Sequence, residues 1–233
     1  MEKKLFDKDY IRKFVNIIDS KLIPNLKMKS INPSDPIKVE SVPKPWILLG
    51  CGNYAGVFTH PDFNDLAIKI YAPGRCGLKE EIEVYNTIGE HPAYSKLLYS
   101  KDNYLVLERL KGITFYNCLR KGIKIKKHII KDIDNTLEYA REKGLNPHDV
   151  HAKNVMIVNN RGVVVDVSDF KHKEYCSLWK DFKKAYYKLY IPFVYKLSIP
   201  IPNFLLNTIR RVYKRYKKLK KINTVTNYSV EQK

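Results

Sequence analysis

The hydrophobic positions at the start of the chain predict one helix followed by short strands. Apolar residues recur at helical spacing from about residue 7 to 22, and Pro24 ends that pattern. Residues 30–45 contain four prolines, which predict an extended lead-in. Three short apolar runs that are typical of strands follow at residues 46–49, 57–59 and 66–71. We expect these runs to form a small antiparallel sheet.

Helical patterns dominate the rest of the chain. A helix is predicted over about 78–89 and a strand over 104–107, and a second helix ends near Gly144. The remaining predicted elements are a hairpin at 155–157 and 163–165, an aromatic helix over about 177–190 and a last helix with an apolar stripe. Strands with one inserted helix thus precede helices with one hairpin. That order predicts an α+β fold of two lobes with a cleft between them.

This pattern divides the chain into four parts. We expect an N-terminal helix and extended lead-in at 1–45, and an N-lobe built on a small antiparallel sheet at 46–110. A reduced, mostly helical C-lobe is expected at 111–222, and a flexible tail at 223–233.

Composition and charge indicate which partners and which cellular compartment suit the protein. The net charge of +19 predicts attraction to polyanions such as nucleotide phosphates, nucleic acid or an anionic membrane. The four cysteines are widely separated and form no C-x-x-C pair, so neither a zinc ribbon nor a redox motif is supported. A reducing cytoplasm is the simplest setting for these cysteines. The first residues form no uninterrupted apolar run, so we expect no secretory signal. No segment approaches the length of a membrane span.

Glycines between two predicted strands are the first candidate binding feature. Gly50, Gly52 and Gly56 would let backbone N–H groups approach phosphate oxygens, although an ordinary hairpin uses glycine in the same way. Lys69 stands twelve residues after Val57, near the end of the third strand, where an ammonium group could reach phosphates beneath the loop.

A buried lysine needs a counter-charge, and the helix over 78–89 offers three glutamates. We choose Glu81 as the partner of Lys69 because it shares a helix face with Tyr85. The alternative for these glutamates is a solvated acidic face.

Three oxygen-bearing residues in the second half have the spacing of a phosphoryl-transfer site. Asp149 would orient an attacking hydroxyl, and Asn154 five residues later would supply an amide oxygen to Mg²⁺. Asp166, after an apolar strand, would bind Mg²⁺ as a hard oxygen ligand. Taken singly, Asp149 could be a helix cap or Asx turn and Asp166 a turn residue. Their order and spacing together favour the catalytic interpretation.

These residues resemble the motifs of the protein-kinase-like superfamily over about residues 46–170. The pattern is similar to that of small, atypical bacterial proteins of the serine/threonine protein kinase type. The resemblance implies a two-lobed kinase-like fold, ATP and Mg²⁺ as cofactors, and a hydroxyl acceptor. It implies a nucleotide-covering loop and a lysine motif, carried by Gly50, Gly52, Gly56, Val57 and Ala67-Ile68-Lys69, with Glu81 as the helix partner. It also implies a gatekeeper and first hinge residue at Leu107 and Glu108, and catalytic and metal positions at Asp149, Asn154 and Asp166.

The chain departs from the family pattern in ways that leave the acceptor open. Ala55 stands where a glycine is usual, Pro147 replaces a histidine, and Val167-Ser168 replaces Phe-Gly after the metal aspartate. No Ala-Pro-Glu sequence follows, which argues against switching by activation-loop phosphorylation. His151, two residues after Asp149, is also typical of kinases for aminoglycosides and choline.

The sequence therefore leaves several alternatives beside a serine/threonine protein kinase. One is a kinase for a small molecule or a lipid-linked sugar at a membrane face, because basic residues surround the apolar stripe of the last helix. We expect instead that this stripe packs on the C-lobe, the commoner use of such a pattern. A nucleotide-binding pseudokinase is opposed by the retained Lys69, Asp149, Asn154 and Asp166. A nucleic-acid scaffold is opposed by the lack of a recognisable motif.

Overall fold

The computed structural model describes residues 6–32 and 35–230, and for residues 214, 218 and 220–230 it describes the backbone alone. Within these residues the chain forms two lobes. The first carries an antiparallel sheet, and the second is mostly helical.

The N-lobe is built on a five-stranded antiparallel sheet with strand order β3-β4-β5-β7-β6. Helix α2 (Leu78–Ile88) connects β5 to β6 and confirms the helix predicted over 78–89. The strands are β3 (Ile47–Cys51), β4 (Ala55–Thr59), β5 (Leu66–Tyr71), β6 (Leu97–Lys101) and β7 (Tyr104–Glu108). Strand β6 was not predicted, because its outer half is exposed and carries little apolar pattern.

The predicted N-terminal helix covers one face of this sheet. Helix α1 (Lys8–Ile17) begins at Asp7, whose side chain accepts a hydrogen bond from the Asp9 N–H, and continues as a π-helical turn at Ile18–Leu22. Its apolar side chains are buried against alternate residues of β5 and β7. A two-stranded ribbon that the sequence did not predict pairs β1 (Lys27–Lys29), just before the extended lead-in, with β2 (Lys38–Ser41) within it.

The C-lobe packs around one long helix. Its elements are β8 (Ile113–Thr114), α3 (Phe115–Lys121), α4 (Lys127–Glu142), β9 (Val155–Val158), β10 (Arg161–Val164), α5 (Leu178–Ala185) and α6 (Asn203–Val230). The apolar stripe of α4 is buried in a core that also takes residues from α2 and β7, so both lobes share it. Tyr94, just before β6, forms a parallel bridge with Val164 of β10, and its hydroxyl donates to the Thr136 carbonyl at 2.8 Å.

The last two predicted helices differ from the structure. The aromatic helix is α5 followed by a π-helical segment, Tyr186–Tyr195, which runs through Pro192. The backbone of α6 continues to Val230, past the start of the expected tail, whose flexibility stays a prediction. The expectation that the apolar stripe of α6 packs on the C-lobe is wrong, because its side chains are exposed. None of the described helices is both long enough and apolar enough to cross a membrane.

The β9–β10 hairpin lies directly on α4. Gly162 in β10 donates its N–H to Asp132 Oδ2 at 3.0 Å. A Cβ atom at this glycine would stand 2.5 Å from the Ile129 carbonyl oxygen, closer than real atoms approach. The hairpin therefore reaches its position on α4 because residue 162 has no side chain.

We expect Gly162→Ala to destabilise the protein by about 1–3 kcal/mol, because the hairpin must move away from α4. Gly50→Ala is the matched control, since a Cβ there meets nothing within 4 Å. That control should change the free energy of unfolding by less than about 1 kcal/mol. Urea unfolding of both variants measures the difference, and equal stability would contradict the close approach.

Candidate active site

The lysine of β5 lies between two carboxylates from different parts of the chain. Side chains alternate across β5, so Lys69 points away from Ile68 and Ile70, which pack under α1. On its own face, Lys69 Nζ lies 2.8 Å from Glu81 Oε1 of α2 and 3.1 Å from Asp166 Oδ1. Lys69 is 8% exposed and Glu81 is 0% exposed. The structure thus brings together three residues that the sequence assigned to one site.

Backbone contacts of the hairpin place Asp166 beside this lysine. The Val164 N–H donates to the Ala93 carbonyl at 2.9 Å, which ties the end of β10 to the segment before β6. The Ser168 N–H donates to Asp166 Oδ1 at 3.2 Å and orients the carboxylate from the other side. The predicted metal aspartate is therefore held by the backbone on both sides of it.

The opposite charges in this group shift one another's pKa values toward the ionised forms. Burial alone would lower the pKa of the Lys69 amine, but Asp166 and Glu81 outweigh burial and raise it. Burial would raise the pKa of Asp166, yet the charge of Lys69 and the Ser168 N–H bring it below its ordinary value. Burial raises the pKa of Glu81, and the Lys69 charge opposes that rise. Lys69 is therefore a charged amine at neutral pH, with ionised Asp166 as a partner.

Tyr71 is a further member of this group that the sequence did not single out. Its hydroxyl donates to Glu81 Oε2, and its ring centroid lies 5.8 Å from Lys69 Nζ. Burial and then the Glu81 charge raise the pKa of this hydroxyl, so it is a neutral donor. Its position two residues after Lys69 on the same strand is the signal that could have found it.

The loop after α4 carries Asp149 and Asn154 in a fixed conformation. Asp149 adopts a φ of 52°, the left-handed region that aspartate and asparagine tolerate better than most residues. The Asn154 side-chain nitrogen donates to the Asp149 carbonyl at 3.1 Å, and the Val165 N–H donates to the Asn154 carbonyl at 3.0 Å. The loop is thereby fastened to the residue before Asp166.

The carboxylate of Asp149 is surrounded by other ionisable groups. Its side chain is 41% exposed, and its Oδ2 lies 3.7 Å from His151 Nε2. Burial raises the pKa of Asp149, the charge of His151 opposes the rise, and the carboxylates of Asp169 and Asp166 add to it. Asp149 is thus more basic than an ordinary aspartate, and its side chain stays partly accessible to solvent.

The glycine-containing loop connects β3 to β4 as a tight turn. The Gly52 N–H donates to the Ala55 carbonyl at 3.0 Å across the turn. A Cβ at Gly50 or Gly52 would meet nothing within 4 Å, whereas one at Gly56 would lie 2.9 Å from the Phe58 ring. Gly56 is therefore explained by packing, and the space beside Gly50 and Gly52 is open.

Tyr54 in this loop is influenced by the carboxylates of the C-lobe. Its backbone carbonyl accepts from the Ala72 N–H at 2.9 Å, which anchors the turn to the end of β5. Burial and then the charge of Asp169 raise the pKa of the Tyr54 hydroxyl, and Asp149 and Asp166 contribute in the same direction. The loop therefore lies within electrostatic range of these three carboxylates.

The remaining predicted binding residues lie on the strands beside Lys69. Val57 of β4 pairs with Lys69, and Ala67 pairs with Leu107 of β7, so these side chains share neighbouring rows of the sheet. The Glu108 N–H donates to the Lys96 carbonyl at 2.8 Å, and its carbonyl accepts from the Ser95 hydroxyl. Both backbone groups of Glu108 are thus engaged within the N-lobe, and its contact with adenine stays a prediction.

Comparison with known proteins gives two curated relatives, while no family model matches the chain. The chain is 33% identical over 181 residues to "Putative serine/threonine-protein kinase YrzF" of Bacillus subtilis (strain 168). This match covers 76% of the chain and 83% of that protein. It is also 29% identical over 82 residues to "Serine/threonine-protein kinase KSP1" of Saccharomyces cerevisiae, across 33% of the chain and 8% of the yeast protein.

Solved structures of kinase domains are similar to part of the chain. One is a mutant of the Mycobacterium tuberculosis PknI kinase domain, with TM-score 0.42, 20% identity, and coverage of 55% of this chain and 59% of that one. Another is Rad53 1-466 in complex with AMP-PNP, with TM-score 0.44, 20% identity, and coverage of 52% and 36%. Given the extent of the Bacillus subtilis match, the chain belongs to the protein-kinase-like superfamily, among small bacterial proteins of the serine/threonine-protein kinase type.

Proposed function

We propose that this protein is an ATP-dependent phosphotransferase that moves the γ-phosphate of ATP to a hydroxyl group, with serine or threonine of a protein as the first acceptor to test. The observation that carries the proposal is the contact of Lys69 with both Glu81 and Asp166. A charged amine held at a cleft by two carboxylates suits the positioning of a triphosphate. A cytoplasmic site of action, where ATP is available, completes the proposal.

The cleft offers three kinds of contact to a nucleotide. Lys69 supplies a fixed positive charge for phosphate oxygens. The loop at Gly50 and Gly52 leaves space for close backbone approach. Val57, Ala67 and Leu107 supply the apolar surface that a purine ring needs.

Asn154 and Asp166 fit the requirements of a magnesium site. Mg²⁺ prefers oxygen ligands and usually takes only one or two carboxylates from the protein, with phosphates and waters as the rest. The Asn154 side-chain nitrogen is used in a hydrogen bond, so its amide oxygen is the atom available for a cation. When bound, Mg²⁺ would neutralise phosphate charge. Asp166 remains ionised for that role because Lys69 lowers its pKa.

Asp149 is the residue we assign to the acceptor hydroxyl. Its raised pKa makes the carboxylate a better proton acceptor than an ordinary aspartate. Its partial exposure leaves the carboxylate reachable by a hydroxyl group entering the cleft. A second acceptor class, a molecule at a membrane surface, is favoured by the exposed apolar stripe of α6.

We expect Asp149→Asn to lower magnesium-dependent release of ADP by about 10²–10⁴-fold, because an amide cannot take the proton of the attacking hydroxyl as the carboxylate does. Asp102→Asn is the matched control: Asp102 also has a positive φ, at 46°, but lies in the exposed β6–β7 turn. It should leave turnover unchanged. The assay uses purified protein, ATP, Mg²⁺ and casein as a generic acceptor. Intact nucleotide binding with no ADP release by the unmodified protein would instead identify a pseudokinase.

Asp149→Asn should also stabilise the fold. A carboxyl whose pKa is raised by folding costs stability when ionised in both states, and this cost disappears below its unfolded pKa. Asp149→Asn should therefore raise the free energy of unfolding at pH 7 by about 0.5 kcal/mol, a modest amount because solvent screens the partly exposed group. The gain should vanish as pH falls below about 4, the ordinary aspartate value. Urea unfolding at several pH values tests this, and a gain independent of pH would contradict it.

Tyr71→Phe should lower kcat/KM for ATP turnover by about tenfold, roughly the effect of one hydrogen bond to a charged group. The physical reason is that Glu81 would lose a donor and position Lys69 less well. We expect the loss mainly in kcat. Tyr85→Phe is the matched control, since Tyr85 is also buried beside Glu81 but is not among its hydrogen-bond donors in the described part of the chain. Equal effects of the two substitutions would show that Tyr71 acts through packing and not through its hydrogen bond to Glu81.

A further inference from the structure

Helix α6 presents an apolar face to solvent. The face, which we call the α6 stripe, has residues spaced alternately by four and three, the spacing of one side of a helix. Its members are 43–61% exposed and are Leu205, Ile209, Val212, Tyr216 and Leu219. Contiguous apolar surface on a protein commonly marks an interaction site.

Contacts on another side of α6 fix the direction of the stripe. The Tyr213 hydroxyl donates to Asp181 Oδ2 of α5 at 2.8 Å. Lys217 Nζ lies 3.6 Å from the same carboxylate. Tyr213 and Lys217 are both partly buried. The helix is therefore attached to the C-lobe through a polar side about a quarter-turn from the stripe, and the apolar side is left outward.

The segment before α6 extends this exposed apolar surface. Leu189, Phe193 and Leu197 recur at every fourth residue and are 60–69% exposed. Leu189 and Phe193 lie in the π-helical segment, whose turns are wider than those of an α-helix, so this spacing keeps them near one face, and Leu197 lies in the turn that follows. Exposed apolar groups thus continue along the chain from the π-helical segment into α6.

The charge around the stripe selects one kind of partner. Residues 182–230 contain no aspartate or glutamate, and residues 203–221 contain eight lysines and arginines. Arg210, Arg211 and Arg215 are exposed on α6. A second copy of this chain would bring like charges together, which opposes self-association. An anionic lipid surface satisfies both the apolar stripe and the cations around it.

The start of α6 is also linked, through Tyr116 of α3, to the loop that carries Asp149. The Tyr116 hydroxyl donates to Asn203 Oδ1 at 2.9 Å, and the Tyr116 N–H donates to the Ala152 carbonyl at 2.8 Å. Lys153 Nζ lies 4.9 Å from the centre of the Tyr116 ring. Burial and then the charge of Arg210 lower the pKa of Lys153, which places α6 near the loop that carries Asp149.

We propose that the α6 stripe and its surrounding basic side chains bind the surface of an anionic membrane, with α6 lying in the headgroup layer. The amphipathic pattern, the outward apolar face and the absence of acidic residues between 182 and 230 are the features of such an interfacial helix. The consequence of this membrane binding for catalysis rests on the proposed function: the cleft would face hydroxyl groups at the membrane surface.

The test is co-sedimentation of the purified protein with lipid vesicles. We expect binding to vesicles of equimolar phosphatidylcholine and phosphatidylglycerol to exceed binding to phosphatidylcholine alone by about tenfold or more, because several cations contribute. Added salt should weaken the binding. The double variant Ile209→Glu with Tyr216→Glu should bind about tenfold more weakly or worse, since two anchoring side chains become charged.

The matched control is Ile31→Glu with Tyr175→Glu, which makes the same chemical changes at side chains 70% and 75% exposed elsewhere on the protein. It should bind like the unmodified protein, and circular dichroism should show both variants folded. Asp149→Asn protein should also bind normally, so a failure of docking and a failure of the proposed activity are separate results. Equal binding by the two double variants would overturn the proposal. So would a dimer in analytical ultracentrifugation that the α6 variant abolishes, without vesicle binding.

Discussion

The buried amine of Lys69 is the constraint on which the arrangement of the two lobes depends. An ammonium group taken out of water is strongly destabilising unless carboxylates compensate it. Glu81 comes from α2 of the N-lobe and Asp166 follows the last strand of the C-lobe, so compensation requires both lobes in register. The shared apolar core and the bridge from Tyr94 to Val164 hold that register. The proposed chemistry and the joining of the lobes therefore rest on the same charges.

Asp149 differs from Asp166 in how its surroundings act on the ionised carboxylate. Where Lys69 lowers the pKa of Asp166, burial and neighbouring carboxylates raise that of Asp149. The backbone there is also in the left-handed region, held by the bond from Asn154. An unfavourable carboxylate in a conformation that its surroundings maintain is typical of functional sites rather than of packing. The pKa values of the two aspartates are thus shifted in opposite directions, as their proposed roles in binding a cation and accepting a proton require.

Much of the fold followed from the sequence because its strongest patterns are local. The buried strand 66–71 and the helix over 78–89 were predicted almost to the residue, and they place Lys69 and Glu81 in contact. Strand β6 and the β1–β2 ribbon were missed because their pairing, and not their own apolar content, makes them strands. Tyr71 was missed because strand alternation places it on the face of Lys69 but does not indicate that its hydroxyl has Glu81 Oε2 as a partner. The family resemblance named the motifs, but their convergence is a property of the tertiary structure.

The direction of the α6 stripe shows where periodicity stops being informative. A helix with one apolar face has the same pattern whether that face packs on its own domain or on something else. Here the polar side makes the contact with the C-lobe, because Asp181 of α5 accepts from Tyr213 and attracts Lys217. Tyr116 links the first residue of α6, Asn203, to the loop between Asp149 and Asn154. The proposed membrane-binding helix and the proposed acceptor site are therefore connected through the start of α6.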